Sequence, residues 1–126
     1  MRPSVPIIAS FLALWSPASW ALTQDNFLVR ATSDLVELCS APPSDQMRVA
    51  AIHFCEGFVV GASQYYQAER AGSGSPPLFC LPTPPPTRDE ATAMFVNWAR
   101  KNPQYMSERP VDSLMRFAAA TWPCRK

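Results

Sequence analysis

Four stretches of the chain place hydrophobic residues at the three- and four-residue steps of an amphipathic helix. They are Asp25 to Cys39, Ser44 or Asp45 to about Arg70, Thr87 to Asn102, and Pro110 to Trp122. No stretch of useful length alternates every two residues, as a half-buried strand would. The pattern therefore predicts an all-α fold, a small four-helix bundle.

The first predicted helix has a marked beginning and end. Thr23 or Asp25 can cap its start. Ala41-Pro42-Pro43 ends it, because a residue before proline is pushed out of the helical region. Its inward positions are Leu28, Ala31, Leu35 and Leu38, and its polar positions are Thr32, Asp34 and Glu37.

The second predicted helix is the longest and carries Gly57 and Gly61 on one face. In a membrane this spacing indicates a dimerising helix, but the segment is too polar to span a bilayer. We therefore expect a tight helix crossing at these glycines. Further along, Thr87 and Glu90 form a capping box for the third helix, and Pro110 suits the first turn of the fourth.

A long loop follows the second helix, from Ala71 to Pro86, with two glycines and six prolines. One interpretation is a simple crossing connection with Leu78, Phe79 and Leu81 packed beneath it. A polyproline II ligand is possible by composition. A third interpretation is a stiff recognition loop that enters a partner's cleft, since preorganised segments lose less entropy on binding. Its candidate contact residues are Tyr65, Tyr66, Phe79, Pro84 and Pro85.

The first 21 residues have the features of a signal peptide. Met1-Arg2 is weakly basic, Val5 to Trp15 is apolar, and Ser19-Trp20-Ala21 offers small residues at the cleavage positions. The apolar run is too short to cross a bilayer. We predict cleavage after Ala21, one domain over residues 22–126, and no membrane segment after cleavage.

Charge excludes one class of partner. The 126 residues include 11 Lys and Arg against 10 Asp and Glu, a formal net charge of +1. A protein that neutralises a nucleic-acid backbone needs a dense basic face. We therefore expect no nucleic-acid binding.

All four cysteines, Cys39, Cys55, Cys80 and Cys124, follow the predicted cleavage point. Their separations of 16, 25 and 44 residues lack the short pairs of a zinc site, so two disulfides are expected. Sequence alone leaves three pairings open. If successive helices alternate in direction, Cys80 and Cys124 lie at one end and the other two towards the opposite end. This layout favours Cys39 with Cys55 and Cys80 with Cys124.

No catalytic or cofactor motif is present. His53-Phe54-Cys55-Glu56 is better explained as a surface His and Glu flanking a buried half-cystine. Gly72-Ser73-Gly74 neither follows a strand nor opens a helix, so it is no phosphate loop. We expect no metal, no cofactor and no enzymatic activity, and a function in binding by shape.

Five short motifs occur in an order that resembles the Rap/Tai family of type VI secretion amidase immunity proteins. They are Cys39, Cys55-Glu56-Gly57-Phe58-Val59-Val60-Gly61, Phe79-Cys80-Leu81-Pro82, Asn102-Pro103-Gln104 and Trp122-Pro123-Cys124. The resemblance implies a helical, disulfide-bonded periplasmic protein that blocks a peptidoglycan amidase effector, and it implies a possible homodimer. The proline content of the loop exceeds what the family leads us to expect.

A second function class stays open at this stage. A family member without a paired toxin could act as a general envelope or stress-response binding protein. A chaperone that works through charge change needs many groups that titrate in its working range. The single histidine and ten carboxylates modestly favour specific binding.

Overall fold

A computed structural model describes residues 21–125, and the predicted signal peptide lies outside them except for Ala21. Within this range there are four α-helices, two short 3-10 helices and no strand. The predicted all-α fold with four helices is confirmed. The α-helices are α1 (Thr32–Cys39), α2 (Arg48–Ser73), α3 (Arg88–Lys101) and α4 (Pro110–Thr121), and the 3-10 helices are Gln24–Leu28 and Pro103–Tyr105.

The prediction of one continuous helix from Asp25 to Cys39 is wrong for its first half, because the helical conformation is interrupted at Val29. This residue has φ 45°, in the left-handed region, and it separates the Gln24–Leu28 turn from α1. The Asp34 carboxylate accepts hydrogen bonds from the backbone N–H groups of Arg30 (2.9 Å) and Ala31 (3.1 Å). Since these groups would otherwise lack partners, Asp34 fixes the start of α1 at Thr32.

The other helix ends follow local chemistry closely. Helix α2 begins three residues after the predicted Asp45, whose carboxylate instead accepts from the N–H groups of Met47 and Leu22. It ends where Gly74 adopts φ 64° and donates its N–H to the carbonyl of Arg70. The Thr87 capping box and Pro110 at the start of α4 are both present as predicted.

Helix α1 occupies the middle of the bundle and contacts α2, α3 and α4. Two apolar clusters meet along it. We call the larger the main core; its buried members are Leu35, Val36, Phe95, Val96, Ala99, Leu114 and Phe117. We call the smaller the α1–α2 core; its buried members are Leu22, Leu38, Ala41, Ala51 and Cys55.

A buried hydrogen-bond network fastens the start of α1 to the segment before α4. Thr32 was expected on the polar side, but it is fully buried, and its hydroxyl pairs with that of Ser113 at 2.7 Å. The Thr32 N–H donates to the carbonyl of Glu108, and the Ser33 N–H donates to that of Met106. The prediction that Thr32 lies on the polar face is wrong because the Ser113 hydroxyl that pairs with it lies about 80 residues away in the sequence.

The disulfides join Cys39 to Cys55 and Cys80 to Cys124, the pairs that the helix layout favoured. Cys55 lies buried in the α1–α2 core, whereas Cys80 is exposed. We call the region formed by residues 75–87 and Cys124 the loop end. Among the described residues, no helix has the length and apolarity that a membrane span requires.

The predicted tight crossing at Gly57 and Gly61 is wrong for the described part of the chain. Both residues are exposed on α2. A Cβ atom built on either glycine would have no neighbouring atom within 4 Å. The spacing was read correctly as a shared face, but that face points away from the bundle.

Helix lengths explain where the bundle is incomplete. Helix α2 has 26 residues and α1 has 8, which correspond to about 39 Å and about 12 Å. The short α1 covers the first half of α2 and leaves its second half to other partners. The proline-rich loop returns along that second half, and a groove remains between α2 and α4.

Candidate partner-binding face

Three contacts hold the proline-rich loop against α2. The rings of Tyr66 and Phe79 stack with centroids 4.8 Å apart. The Leu78 N–H donates to the Tyr66 hydroxyl at 2.6 Å. The Arg70 guanidinium donates to the Ser75 carbonyl and lies 6.0 Å from the centre of the Tyr66 ring. The loop is therefore anchored at its first half by side chains of α2.

The C-terminus fastens the middle of the loop. The Cys80 N–H donates to the carbonyl of Trp122 at 2.8 Å, beside the Cys80–Cys124 bond. Trp122 itself packs edge-on against Phe117 of the main core, with ring centroids 5.2 Å apart. Residues of the loop are thus tied to α4 although the loop contains no helix.

The structure divides the predicted contact residues into two groups. Tyr66 and Phe79 contact each other and are half-buried, so they position the loop. Tyr65 is 73% exposed, and Pro84 and Pro85 are exposed as well. The Thr83–Pro84 peptide bond is cis. The second group is the more exposed of the two.

The expectation that Leu78, Phe79 and Leu81 all pack beneath the loop is correct for Phe79 alone. Leu78 is 57% exposed and Leu81 is 43% exposed. Phe79 is covered because it stacks on Tyr66 of α2, whereas Leu78 and Leu81 lie beside helix residues in open surface depressions that leave them partly exposed. These leucines add apolar surface to the loop end.

A groove of about 380 Å³ lies between the second half of α2, the loop and α4. Its α2 wall includes Val59, Ser63 and Gln67, and Leu81 of the loop lies on its rim. The first turn of α3 contributes Arg88. No sequence pattern pointed to this groove, because it results from the unequal lengths of helices distant in sequence.

The capping box at the start of α3 holds the Glu90 carboxylate in place. The Glu90 carboxylate accepts from the Thr87 N–H at 2.8 Å, and the Glu90 N–H donates to the Thr87 hydroxyl. The hydrogen bond from the Thr87 backbone lowers the pKa of Glu90 below 4.5, and the bond from its hydroxyl acts in the same direction. Glu90 is thus engaged by its own helix.

The His53-to-Glu56 segment has the structural arrangement expected from the sequence. His53 is exposed, and its Nδ1 lies 3.8 Å from the Glu56 carboxylate. Cys55 is disulfide-bonded and buried, so its sulfur is not a free nucleophile. These residues can stabilise a helix surface, and they do not form a nucleophile and base pair.

Comparison with known proteins identifies the family. A small helical domain with two disulfides and an exposed, anchored loop suits a protein that acts by binding. The sequence model of the Rap1a immunity proteins matches residues 31–124, and the chain belongs to this family. The Rap/Tai resemblance drawn from the sequence motifs is thereby confirmed. Searches of curated proteins and of solved structures returned no match.

Proposed function

We propose that this chain is a periplasmic immunity protein that binds a type VI secreted peptidoglycan amidase and occludes its active site. It would thereby protect the producing cell and its siblings. Family membership is the observation that carries the proposal. The predicted signal peptide over residues 1–21 and the two disulfides support action outside the cytoplasm, where the cell wall lies.

The proposed activity is binding without catalysis. Immunity by occlusion needs a rigid body whose surface fits the toxin, and the anchored loop supplies such a surface. Tyr65, Pro84 and Pro85 are its proposed contact residues, while the Tyr66–Phe79 stack holds the loop in position. Because the loop is already ordered before binding, association costs it little conformational entropy.

A lysis assay tests the function as a whole. A candidate peptidoglycan amidase of the Cys-His type would be exported to the periplasm with and without the immunity chain. We expect lysis without the chain and survival with it, together with a purified complex of the two proteins. Lysis in both cases, with no complex, would contradict the amidase as partner. Protection of unrelated unfolded proteins from aggregation would instead favour the general envelope function.

Loop and side-chain variants test the proposed contact surface. Replacing Pro82 to Pro85 by a Gly-Ser segment leaves Cys80 and Leu81 in place. We expect weaker toxin binding at an unchanged melting temperature. Tyr65→Ala should weaken binding, whereas Val49→Ala, at an exposed position nearer the start of the same helix, should not. Equal affinity of the loop variant and the unaltered chain would remove the loop from the proposal.

The homodimer implied by the family resemblance stays a prediction. Sedimentation of the mature chain at several concentrations measures it directly. A mass that stays at one chain over the whole range would exclude it.

A further inference from the structure

The groove between α2 and α4 has the size and lining of a small-molecule site. Its volume of about 380 Å³ falls within the roughly 300–1,000 Å³ typical of ligand pockets. Most of its lining is apolar, with Val59, Phe79 and Trp122 on three different sides. Neutral polar groups from Ser63 and Gln67 lie along the α2 wall. Such a lining favours an apolar ligand with few polar atoms.

The groove has one charged lining residue among the described residues, Arg88. No carboxylate of the described residues lies within ion-pair distance of its guanidinium. The nearby Glu90 carboxylate turns back to accept from the Thr87 N–H. A ligand that enters the groove therefore meets a free positive charge, and a negatively charged group complements it.

The walls of the groove distinguish a hydrocarbon chain from an extended peptide. Its two longest walls, α2 and α4, are helices whose backbone groups are already paired within each helix. An extended peptide would bring its own N–H and C=O groups into an apolar groove that offers few partners, at a cost for each unpaired group. A hydrocarbon chain carries no such groups.

We propose that this groove binds a single-chain fatty acid, with the hydrocarbon chain between α2 and α4 and the carboxylate on the Arg88 guanidinium. This proposal does not rest on the proposed immunity function, and it gives the protein a ligand other than a toxin. Free fatty acid is the proposed occupant, and a protein segment or a second copy of the chain is an alternative that the test separates.

Calorimetric titration of the mature chain with dodecanoate, below its micelle concentration, tests the proposal. We expect saturable binding of one molecule per chain. Decanoate should bind about tenfold more weakly, because two fewer methylene groups are buried. Dodecyltrimethylammonium, which has the same chain length and the opposite charge, should not bind. Arg88→Gln should weaken dodecanoate binding about tenfold and leave uncharged dodecanol unaffected.

Filling the groove supplies a second, structural test. Ser63→Trp places a large side chain in the groove and should abolish dodecanoate binding. Gln67→Trp fills the same wall and replaces it if the first variant does not fold. Ala68→Trp is the matched control, since Ala68 is exposed on α2 and does not line the groove. Circular dichroism and thermal melts establish that each variant is folded.

Four outcomes would overturn the proposal. One is the absence of saturable dodecanoate binding by the unaltered chain. The second is equal dodecanoate binding by folded Ser63→Trp. The third is equal binding of dodecyltrimethylammonium and dodecanoate. The fourth is a dimer that Ser63→Trp dissociates and Ala68→Trp does not, because the groove would then be an interface between copies. None of these outcomes bears on toxin neutralisation, which the lysis assay measures separately.

Discussion

The two disulfides of this protein lie in contrasting surroundings. Cys39–Cys55 joins α1 to α2 inside a cluster of buried side chains that includes Leu38 and Ala51. Cys80–Cys124 joins a loop without helix to the C-terminus, and Cys80 is exposed. The Cys39–Cys55 bond adds to a packed core, whereas the Cys80–Cys124 bond holds the loop end, which has no packed core around it.

The difference shows how a small domain can present a rigid surface away from its core. Exposed loops are ordinarily mobile, because few buried contacts hold them. At the loop end, a covalent bond, the Tyr66–Phe79 stack and the Leu78 hydrogen bond replace those contacts. Apolar side chains such as Leu78 and Leu81 are therefore exposed on a backbone that these contacts hold in place.

The largest expected effect is the loss of folding on complete reduction. In the chain-entropy model, closures of 16 and 44 residues stabilise by roughly 3 and 4 kcal/mol. Together these values are comparable with the whole net stability of a small domain, roughly 5–15 kcal/mol. We expect dithiothreitol to reduce the accessible Cys80–Cys124 bond first and leave the helices intact, and to unfold the chain when Cys39–Cys55 follows.

Mass spectrometry of alkylated samples, combined with circular dichroism, follows both steps. Cys80→Ala with Cys124→Ala is the matched variant for the first step, and it should retain its helical signal. Fully reduced protein that keeps its helical signal and a cooperative melt would contradict the prediction. Reduction of Cys39–Cys55 first would reverse the contrast between the two bonds.

Two alanine substitutions compare the main core with the loop end through their side chains. Phe95→Ala removes a fully buried ring from the main core and should lower the free energy of unfolding by about 3–5 kcal/mol. Leu78→Ala removes an exposed side chain at the loop end and should change it by less than about 0.5 kcal/mol. Urea denaturation of both variants gives the two values. Similar losses would mean that the loop end has a packed core of its own.

Features set by nearby residues were predictable from the sequence, and features set by distant ones were not. The Thr87 capping box and Pro110 gave correct starts for α3 and α4, because each acts within one turn. The burial of Thr32 depends on the chain from Met106 to Ser113, which docks on the start of α1. The apolar periodicity of one helix does not predict contacts with residues that are distant in sequence.

The candidate site shows the same division. Tyr65, Pro84 and Pro85 could be named because they lie in or near the proline-rich loop along the chain, and the structure shows that all three are exposed. Their contact with a partner stays a prediction. The outward direction of the Gly57 face and the groove beside Arg88 could not, since both depend on how the helices pack against one another. The sequence marked where each helix lies along the chain without specifying how much of its neighbour it covers.

A smaller effect than the loss of the Phe95 ring is expected at the cap where the loop end meets α3. Thr87→Ala removes the hydroxyl that accepts a hydrogen bond from the Glu90 N–H and should lower the free energy of unfolding by about 1 kcal/mol.

Glu90→Gln tests the carboxylate of the same cap separately. Because folding lowers the pKa of Glu90, its ionised form favours the folded state above pH 4.5, and this contribution disappears as the pH falls through the lowered folded-state pKa. The stability difference between the unaltered chain and Glu90→Gln, measured by thermal melts from pH 7 to pH 3, should therefore shrink on acidification. A difference that stays constant or grows would show that the Glu90 carboxylate does not stabilise this junction through its charge.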